Sequence, residues 1–152
     1  MNGFFVTGTD TEVGKTRVSV ALIELLQQQG KTVAGMKPIA SGCENTPEGL
    51  RNEDAIALIK QANIELPYDV INPYAFEPAI APHIAAEQAG ITIDLSLIKQ
   101  CYQDIQQQAD AVVVEGAGGW LVPLNKQHTM ADLAVQLELP VILVIAIRFK
   151  EK

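Results

Sequence analysis

The sequence is short of cysteine, of positive charge and of long apolar runs, and each shortage excludes a class of protein. Its two cysteines, Cys43 and Cys101, have neither metal-binding spacing nor the density of a disulfide-stabilised domain, so we expect free thiols and a cytoplasmic location. Eleven Lys and Arg residues against 18 Asp and Glu give a net charge of -7, which argues against a nucleic-acid-binding surface. The longest apolar run, 140–147, is far below the roughly 20 residues that span a bilayer, and the N-terminus lacks the charged start of a secretion signal, so we expect no membrane contact.

The spacing of apolar residues predicts alternating strands and helices within a single domain, 1–152. The predicted strands are 2–7, 32–36, 111–114 and 141–147, and the predicted helices are 16–30, 54–62, 94–108 with Asp94 as cap, and 130–137. A loop up to Asn52 and a Pro-rich irregular stretch across the middle of the chain separate them. Strands that are apolar on both faces favour the α/β class, in which a mostly parallel sheet has helices on both sides.

The last predicted strand, 141–147, is the most apolar, and only Arg148–Lys152 follow it. Such a strand normally lies inside a sheet with a crossover helix covering it. We therefore expect a fold that is incomplete at its C-terminus. The strand should lie at a sheet edge or lack cover on one face, with Val141, Leu143 and Ile145 exposed.

The residues 8–16, GTDTEVGKT, stand between a predicted strand and a predicted helix, as a phosphate-binding loop requires. Glycines let backbone N–H groups turn toward phosphate oxygens, Lys15 supplies a mobile cation, and the Thr16 hydroxyl can bind Mg²⁺. Five residues rather than four separate Gly8 from Gly14, so the loop is of a variant type. The alternative is a strand-to-helix turn with a surface lysine.

Three further polar residues follow predicted strands or begin a predicted helix. Glu115 ends the run VVVE, and carboxyl ends of parallel strands are where ligands bind, so Glu115 can join Thr16 and Asp54 around Mg²⁺, which prefers oxygen ligands. Lys37 closes another strand, in MKPIASG, and brings a second lysine to the site. The alternatives are a capping role for Glu115, a helix-start acid for Asp54, and a lysine that reaches solvent for Lys37.

Five segments in order, GTDTEVGKT, MKPIASG, TPEGLRNEDA, NPYAF followed by PH, and VVVEGAGGWLVPL, resemble the dethiobiotin synthetase family from Phe5 to about Ile145. The resemblance implies a P-loop NTPase fold and a homodimeric cyclo-ligase of biotin biosynthesis. It also implies Mg²⁺ as cofactor and three substrates: ATP, carbon dioxide (or bicarbonate as its source) and 7,8-diaminononanoate, which is carboxylated and closed to dethiobiotin.

Carried over by position, the resemblance implies three sets of site residues. The nucleotide-binding set is Thr11, Glu12, Val13, Gly14, Lys15, Thr16, Glu115 and Gly118. The metal-binding set is Thr16, Asp54 and Glu115. The set around the carbamate formed on the diamine is Lys37, Ser41, Gly118 and Gly119, with Lys37 and Lys15 as catalytic residues. The family continues past this point with an adenine-reading segment, whereas Arg148–Lys152 resemble an altered tail.

Two other functions stay open. The chain could be a catalytically inactive, nucleotide-binding remnant of such an enzyme. It could also be a partition- or maturation-type ATPase with a variant P-loop. That class needs a second lysine early in the phosphate loop, where this chain has Thr9 and Asp10.

Overall fold

The computed structural model describes residues 3–147, so the expected altered tail, Arg148–Lys152, lies outside the described residues. The strands are β1 (Gly3–Gly8), β2 (Val33–Met36), β3 (Ile39–Ala40), β4 (Glu44–Thr46), β5 (Gly49–Arg51), β6 (Tyr74–Ala75), β7 (Ala111–Glu115) and β8 (Val141–Val144). The helices are α1 (Lys15–Gln28), α2 (Glu53–Gln61), α3 (Tyr68–Ile71), α4 (Pro82–Gln88), α5 (Leu95–Gln106) and α6 (Met130–Leu137).

Four parallel strands form the main sheet in the order β2-β7-β1-β8. Neighbouring residues of each central strand point to opposite faces, as the pleat requires. Phe5 and Val114 pack on one face with residues of α4, α5 and α6, whereas Val6 and Val113 pack on the other with residues of α1 and α2. The predicted α/β class, with helices on both faces of a mostly parallel sheet, is confirmed.

Local hydrogen bonds account for the starts of three helices. The Asn52 side chain accepts from the backbone N–H of Ala55 at 3.1 Å, so α2 begins one residue before the predicted start. Asp94 caps α5 as predicted and accepts from the N–H of Ser96 at 2.8 Å. Thr129 and Asp132 form a reciprocal capping box that begins α6.

The expectation of irregular structure up to Asn52 and across the Pro-rich stretch after α2 is wrong. The predicted loop up to Asn52 contains β3 and the antiparallel pair β4–β5, and the Pro-rich stretch contains α3, β6 and α4. These elements have two to seven residues, which is too short for a periodic apolar pattern. Pro82 occupies the first position of α4, where a missing N–H costs nothing, so this proline begins a helix.

The last strand, β8, lies at an edge of the sheet and is three residues shorter than predicted. Val141, Leu143 and Ile145 are 44%, 52% and 62% exposed, so the expected apolar edge is confirmed for the described part of the chain. None of the helices within residues 3–147 has both the length and the apolar character needed to cross a bilayer.

Candidate functional site

A cavity of about 810 Å³ opens where β1, β2 and β7 end. Nearly all of the predicted site residues line it: Thr11, Glu12, Gly14, Lys15, Thr16, Lys37, Ser41, Asp54, Glu115, Gly118 and Gly119. Val13 is the exception, because its side chain packs against Gly8. A Cβ atom placed on Gly8 would lie 2.5 Å from Val13 Cγ2. The sequence therefore predicted which segments converge here.

The loop between β1 and α1 has the backbone form of an anion-binding turn. Gly14, which has no side chain to cap the helix, precedes α1 with a φ of 102°, and Glu12 has a φ of 56°, so both lie in the left-handed region. The N–H groups of the first helical turn have no partner within the helix, and the helix dipole adds positive potential there. Phosphate oxygens suit this position.

Lys15 folds back onto the phosphate loop. Its Nζ donates to the Asp10 carbonyl at 2.7 Å, and the residue is 7% exposed, which excludes the alternative of a surface lysine. Burial lowers the pKa of the Lys15 ammonium, and the positive charge of Lys37 lowers it further. A phosphate that replaced the carbonyl would give this ammonium a full negative charge as its partner.

Lys37 is buried at the centre of the site and does not reach solvent. Its Nζ donates to Asp54 Oδ2, to Glu115 Oε1 and to the Gly116 carbonyl, each at 3.0 Å, and the residue is 3% exposed. An ammonium has three protons, and all three are used. Lys37 thus joins the end of β2 to the first turn of α2 and to the end of β7.

Glu115 is wholly buried and is bonded through one oxygen only. Oε1 accepts from the Thr16 hydroxyl at 2.9 Å and from Lys37, whereas Oε2 has no hydrogen-bond partner among residues 3–147. A buried carboxylate oxygen without a partner is costly unless a ligand meets it. Burial alone would raise the pKa of the neighbouring Asp54 carboxyl, but the Lys37 ammonium reverses this and holds that pKa below its ordinary value of 3.8.

The oxygen atoms of Thr16, Asp54 and Glu115 fit a magnesium ion. In the described part of the chain, no three or more His, Cys, Asp or Glu side chains cluster as metal ligands. Two carboxylates and a hydroxyl suffice for Mg²⁺, however, because that ion keeps several waters and binds phosphate oxygens. These three residues are therefore the group that could hold it.

Ser41, Gly118 and Gly119 form another part of the cavity lining. The Ser41 hydroxyl is buried and has no hydrogen-bond partner within residues 3–147, so it is free to bond a ligand. Sequence reasoning missed Asn52 and residues 79–82, which also line the cavity. An asparagine directly before two acidic residues is a helix-start signal that could have identified Asn52.

Comparison with known proteins identifies the family to which the chain is similar. The sequence profile of the AAA domain family (AAA_26) matches residues 2–150. A Marinobacter nauticus protein named ATP-dependent dethiobiotin synthetase BioD is 55% identical over 146 residues, which is 95% of this chain and 62% of that protein. Proteins of the same name from Pseudomonas aeruginosa and Xanthomonas oryzae pv. oryzae are 48% and 50% identical and cover 97% and 95% of the chain.

The chain spans less than two thirds of these relatives, between 62% and 65% of their length. Among solved structures, the signal recognition particle receptor FtsY from Elizabethkingia anophelis in complex with GDP covers 90% of this chain and 33% of its own at 17% identity, with a TM-score of 0.38. The profile match and the identities agree with the motifs described above. The chain therefore belongs to the AAA domain family, and the resemblance of its motifs to dethiobiotin synthetase is confirmed over nearly its whole length.

Proposed function

We propose that this chain catalyses the ATP-dependent carboxylation of 7,8-diaminononanoate and the closure of the product to dethiobiotin. The observation that carries the proposal is the buried Lys37, which lies in one cavity with the phosphate loop and contacts Asp54 and Glu115. A phosphate loop alone suits many nucleotide-binding proteins. A second buried ammonium beside it suits a reaction in which negative charge also develops on a group other than the nucleotide.

The proposed reaction has three steps. One amine of the diamine adds to carbon dioxide, loses a proton and becomes a carbamate. A carbamate oxygen attacks the γ-phosphorus of ATP, ADP leaves, and a carbamic–phosphoric anhydride remains. The second amine attacks the carbamate carbon, loses a proton and expels phosphate, which closes the five-membered ureido ring.

The residues of the cavity suit the negative charges that develop during this reaction. Lys15 and the N-terminus of α1 meet the charge of the phosphoryl group during transfer. Lys37 bridges the γ-phosphate and the carbamate oxygen, which brings the two anions together against their repulsion. The free Ser41 hydroxyl and the backbone amides of Gly118 and Gly119 orient the carbamate.

Thr16, Asp54 and Glu115 would hold Mg²⁺ in this proposal. When bound, the ion neutralises charge on the phosphate oxygens of ATP. In this proposal the side chains themselves fix where the nucleotide lies, because Thr16 lies in the first turn of α1 and Glu115 ends β7, so both are held by rigid elements. The homodimer, the magnesium ion and the cytoplasmic location remain predictions from the sequence.

The test is incorporation of labelled carbon from bicarbonate into an acid-stable product that comigrates with dethiobiotin. Label should appear only when the chain, ATP and the diamine are all present. Omitting each substrate in turn is the control. If the chain binds ATP but fixes no label, the proposal is wrong and the alternative of an inactive nucleotide-binding remnant is favoured.

A further inference from the structure

The backbone of Lys37 is held by a segment far along the chain. Lys37 follows the last residue of β2, and both its backbone groups bond outside the main sheet. Its N–H donates to the Ile71 carbonyl at 3.0 Å, and its carbonyl accepts from Asn72 Nδ2 at 2.8 Å. The end of α3 therefore supplies both hydrogen bonds that fix the direction in which Lys37 leaves the strand.

The same segment also holds the helix that carries Asp54. The Tyr68 hydroxyl accepts from the backbone N–H of Asn52 at 2.7 Å and donates to Asn72 Oδ1 at 2.9 Å. Asn52 is the cap of α2, and Asp54 lies in the first turn of that helix. The Tyr68 hydroxyl thus links the start of α2 to Asn72, the residue whose side chain bonds the Lys37 carbonyl.

We propose that Tyr68 and Asn72 are positioning residues that set the geometry of Lys37 against Asp54. The bonds form a closed ring: from Lys37 through Asn72, Tyr68 and Asn52 to α2, and back through Asp54 to the Lys37 ammonium. Asn72 and Asn52 are 3% and 8% exposed, so water does not compete freely for these bonds. A buried network in which every polar group has a hydrogen-bond partner restricts the positions that its side chains can adopt.

Further contacts fix the two linking residues themselves. The Arg51 guanidinium lies 4.1 Å from the centre of the Tyr68 ring, a cation–π contact that holds the ring in place. Asn72 Nδ2 also donates to the Tyr74 carbonyl at 3.3 Å, so both of its amide protons are used. Neither residue lines the cavity, so each acts on the site only through Lys37 and α2.

The first test measures how accessible the Lys37 amine is, with no substrate present. In Tyr68→Phe, trace acetylation of Lys37, counted by mass spectrometry relative to the exposed Lys126, should rise by a factor of roughly 3 to 10, the size expected for one lost hydrogen bond. Tyr102→Phe is the matched control, because its hydroxyl bonds Gln106 at 3.0 Å on α5 and does not touch this ring. An unchanged rate in Tyr68→Phe, or an equal rise in both variants, would overturn the proposal.

Asn72→Leu is the second variant, since it removes all three side-chain hydrogen bonds of Asn72 while keeping a side chain that branches at the γ carbon. It should raise Lys37 acetylation in the same direction, with far-ultraviolet circular dichroism unchanged. If either variant unfolds, the other carries the test. A folded Asn72→Leu protein with wild-type acetylation of Lys37 contradicts the proposed role of Asn72.

The effect of Tyr68 on catalysis rests on the proposed function and is measured separately, as a change in kcat. In the bicarbonate assay, Tyr68→Phe should lower kcat by a factor of roughly 3 to 10 while KM for ATP changes less than about twofold, because Lys37 acts on developing charge. An active wild type with unchanged kcat in Tyr68→Phe rejects the positioning role. A wild type that fixes no carbon rejects the proposed function, while the acetylation result still decides the positioning role.

Discussion

Lys37 bonds the same two carboxylates that are the candidates for Mg²⁺. Its ammonium contacts Asp54 Oδ2 and Glu115 Oε1, and three acceptors use all of its protons. A divalent cation at these carboxylates would repel an ammonium so close to it. We therefore propose that the two cations compete for the carboxylates, so that binding of a metal ion would free Lys37 to meet an anionic substrate.

Replacing Lys37 should accordingly strengthen metal binding in the absence of nucleotide. In Lys37→Met, the affinity for Mn²⁺, used as a spectroscopic substitute, should rise by roughly tenfold or more, because one opposing charge is gone from the carboxylates. Titration followed by electron paramagnetic resonance of free Mn²⁺ measures it. Lys15→Met is the control: it removes the same charge, but Lys15 bonds a carbonyl, so its effect should be smaller. Unchanged or weaker binding in Lys37→Met contradicts this competition.

Asp54 should make stability depend on pH in acid. Lys37 holds the pKa of this carboxyl below 3.8 in the folded state, against the effect of burial. Because the Asp54 carboxyl has a lower pKa in the folded chain than in the unfolded chain, it stabilises the fold at pH values above its unfolded pKa. This stabilisation is lost as the pH falls through the folded pKa. The difference in unfolding free energy between wild type and Asp54→Asn, from urea titrations, should be largest near pH 7 and shrink by about pH 3. A difference that stays constant over this range rules the effect out.

The convergence of the site residues could be predicted from the sequence, but their pairing could not. Lys37 directly follows a strand, Glu115 ends another, and Thr16 lies in the first turn of the helix that follows β1. Parallel pairing therefore brings all three to the carboxyl ends of the strands. The bond from Lys37 to Glu115 spans 78 residues and depends on strand register. The link through Tyr68 depends on α3, a four-residue helix with no readable period.

The packing of α2 onto β2 depends on the absence of a side chain at one position. A Cβ at Gly35 would lie 2.6 Å from the Leu58 Cβ and 3.2 Å from the Ile23 Cδ1. Both neighbours belong to the helical layer on that face, so the helix itself would have to shift. Because α2 carries Asp54, such a shift would also reach the site.

Gly35→Ala should therefore destabilise the fold by about 1–3 kcal/mol, the range for overpacking a filled core. Urea unfolding followed by circular dichroism measures the change. Mn²⁺ affinity should fall as well, since Asp54 moves with its helix. A variant as stable as the wild type would indicate that α2 lies farther from β2 than the contacts above require.

Strands and helices could be predicted from the sequence where the apolar pattern was long or where a helix-capping residue was present. The apolar runs of β1 and β7 and the capped helix α5 occur where the sequence predicts them. The pair β4–β5 was not predictable, because its residues are mostly polar, none of them is buried, and they show no apolar alternation. The extent of β8 was overestimated, since an apolar run continues past the residues that pair with β1.

The molecule as described has one apolar sheet edge. Val141 and Leu143 of β8 are about half exposed, and they line a groove of about 770 Å³ together with Trp120 and Leu121. Exposed apolar edges of this kind promote association between copies of a chain. We expect the purified 152-residue chain to self-associate as its concentration rises.

Leu143→Lys should reduce that self-association, because a charge on an edge strand opposes pairing with another edge. Light scattering over a concentration series measures it. Val135→Lys is the control: Val135 is 74% exposed but belongs to α6 and not to the edge strand, so this change should have little effect. A wild-type chain that stays monodisperse at high concentration would contradict the expectation.

In the proposed reaction, a carbamate oxygen attacks the γ-phosphorus of ATP in the cavity shared by Lys15 and Lys37. The most direct measurement follows oxygen-18 from labelled bicarbonate, added just before the chain, ATP and the diamine. Attack through a carbamate oxygen transfers one labelled oxygen to the released phosphate and leaves another in the ureido carbonyl. We expect labelled phosphate to form in step with dethiobiotin, whereas dethiobiotin formed with unlabelled phosphate would show that no carbamate oxygen attacks ATP.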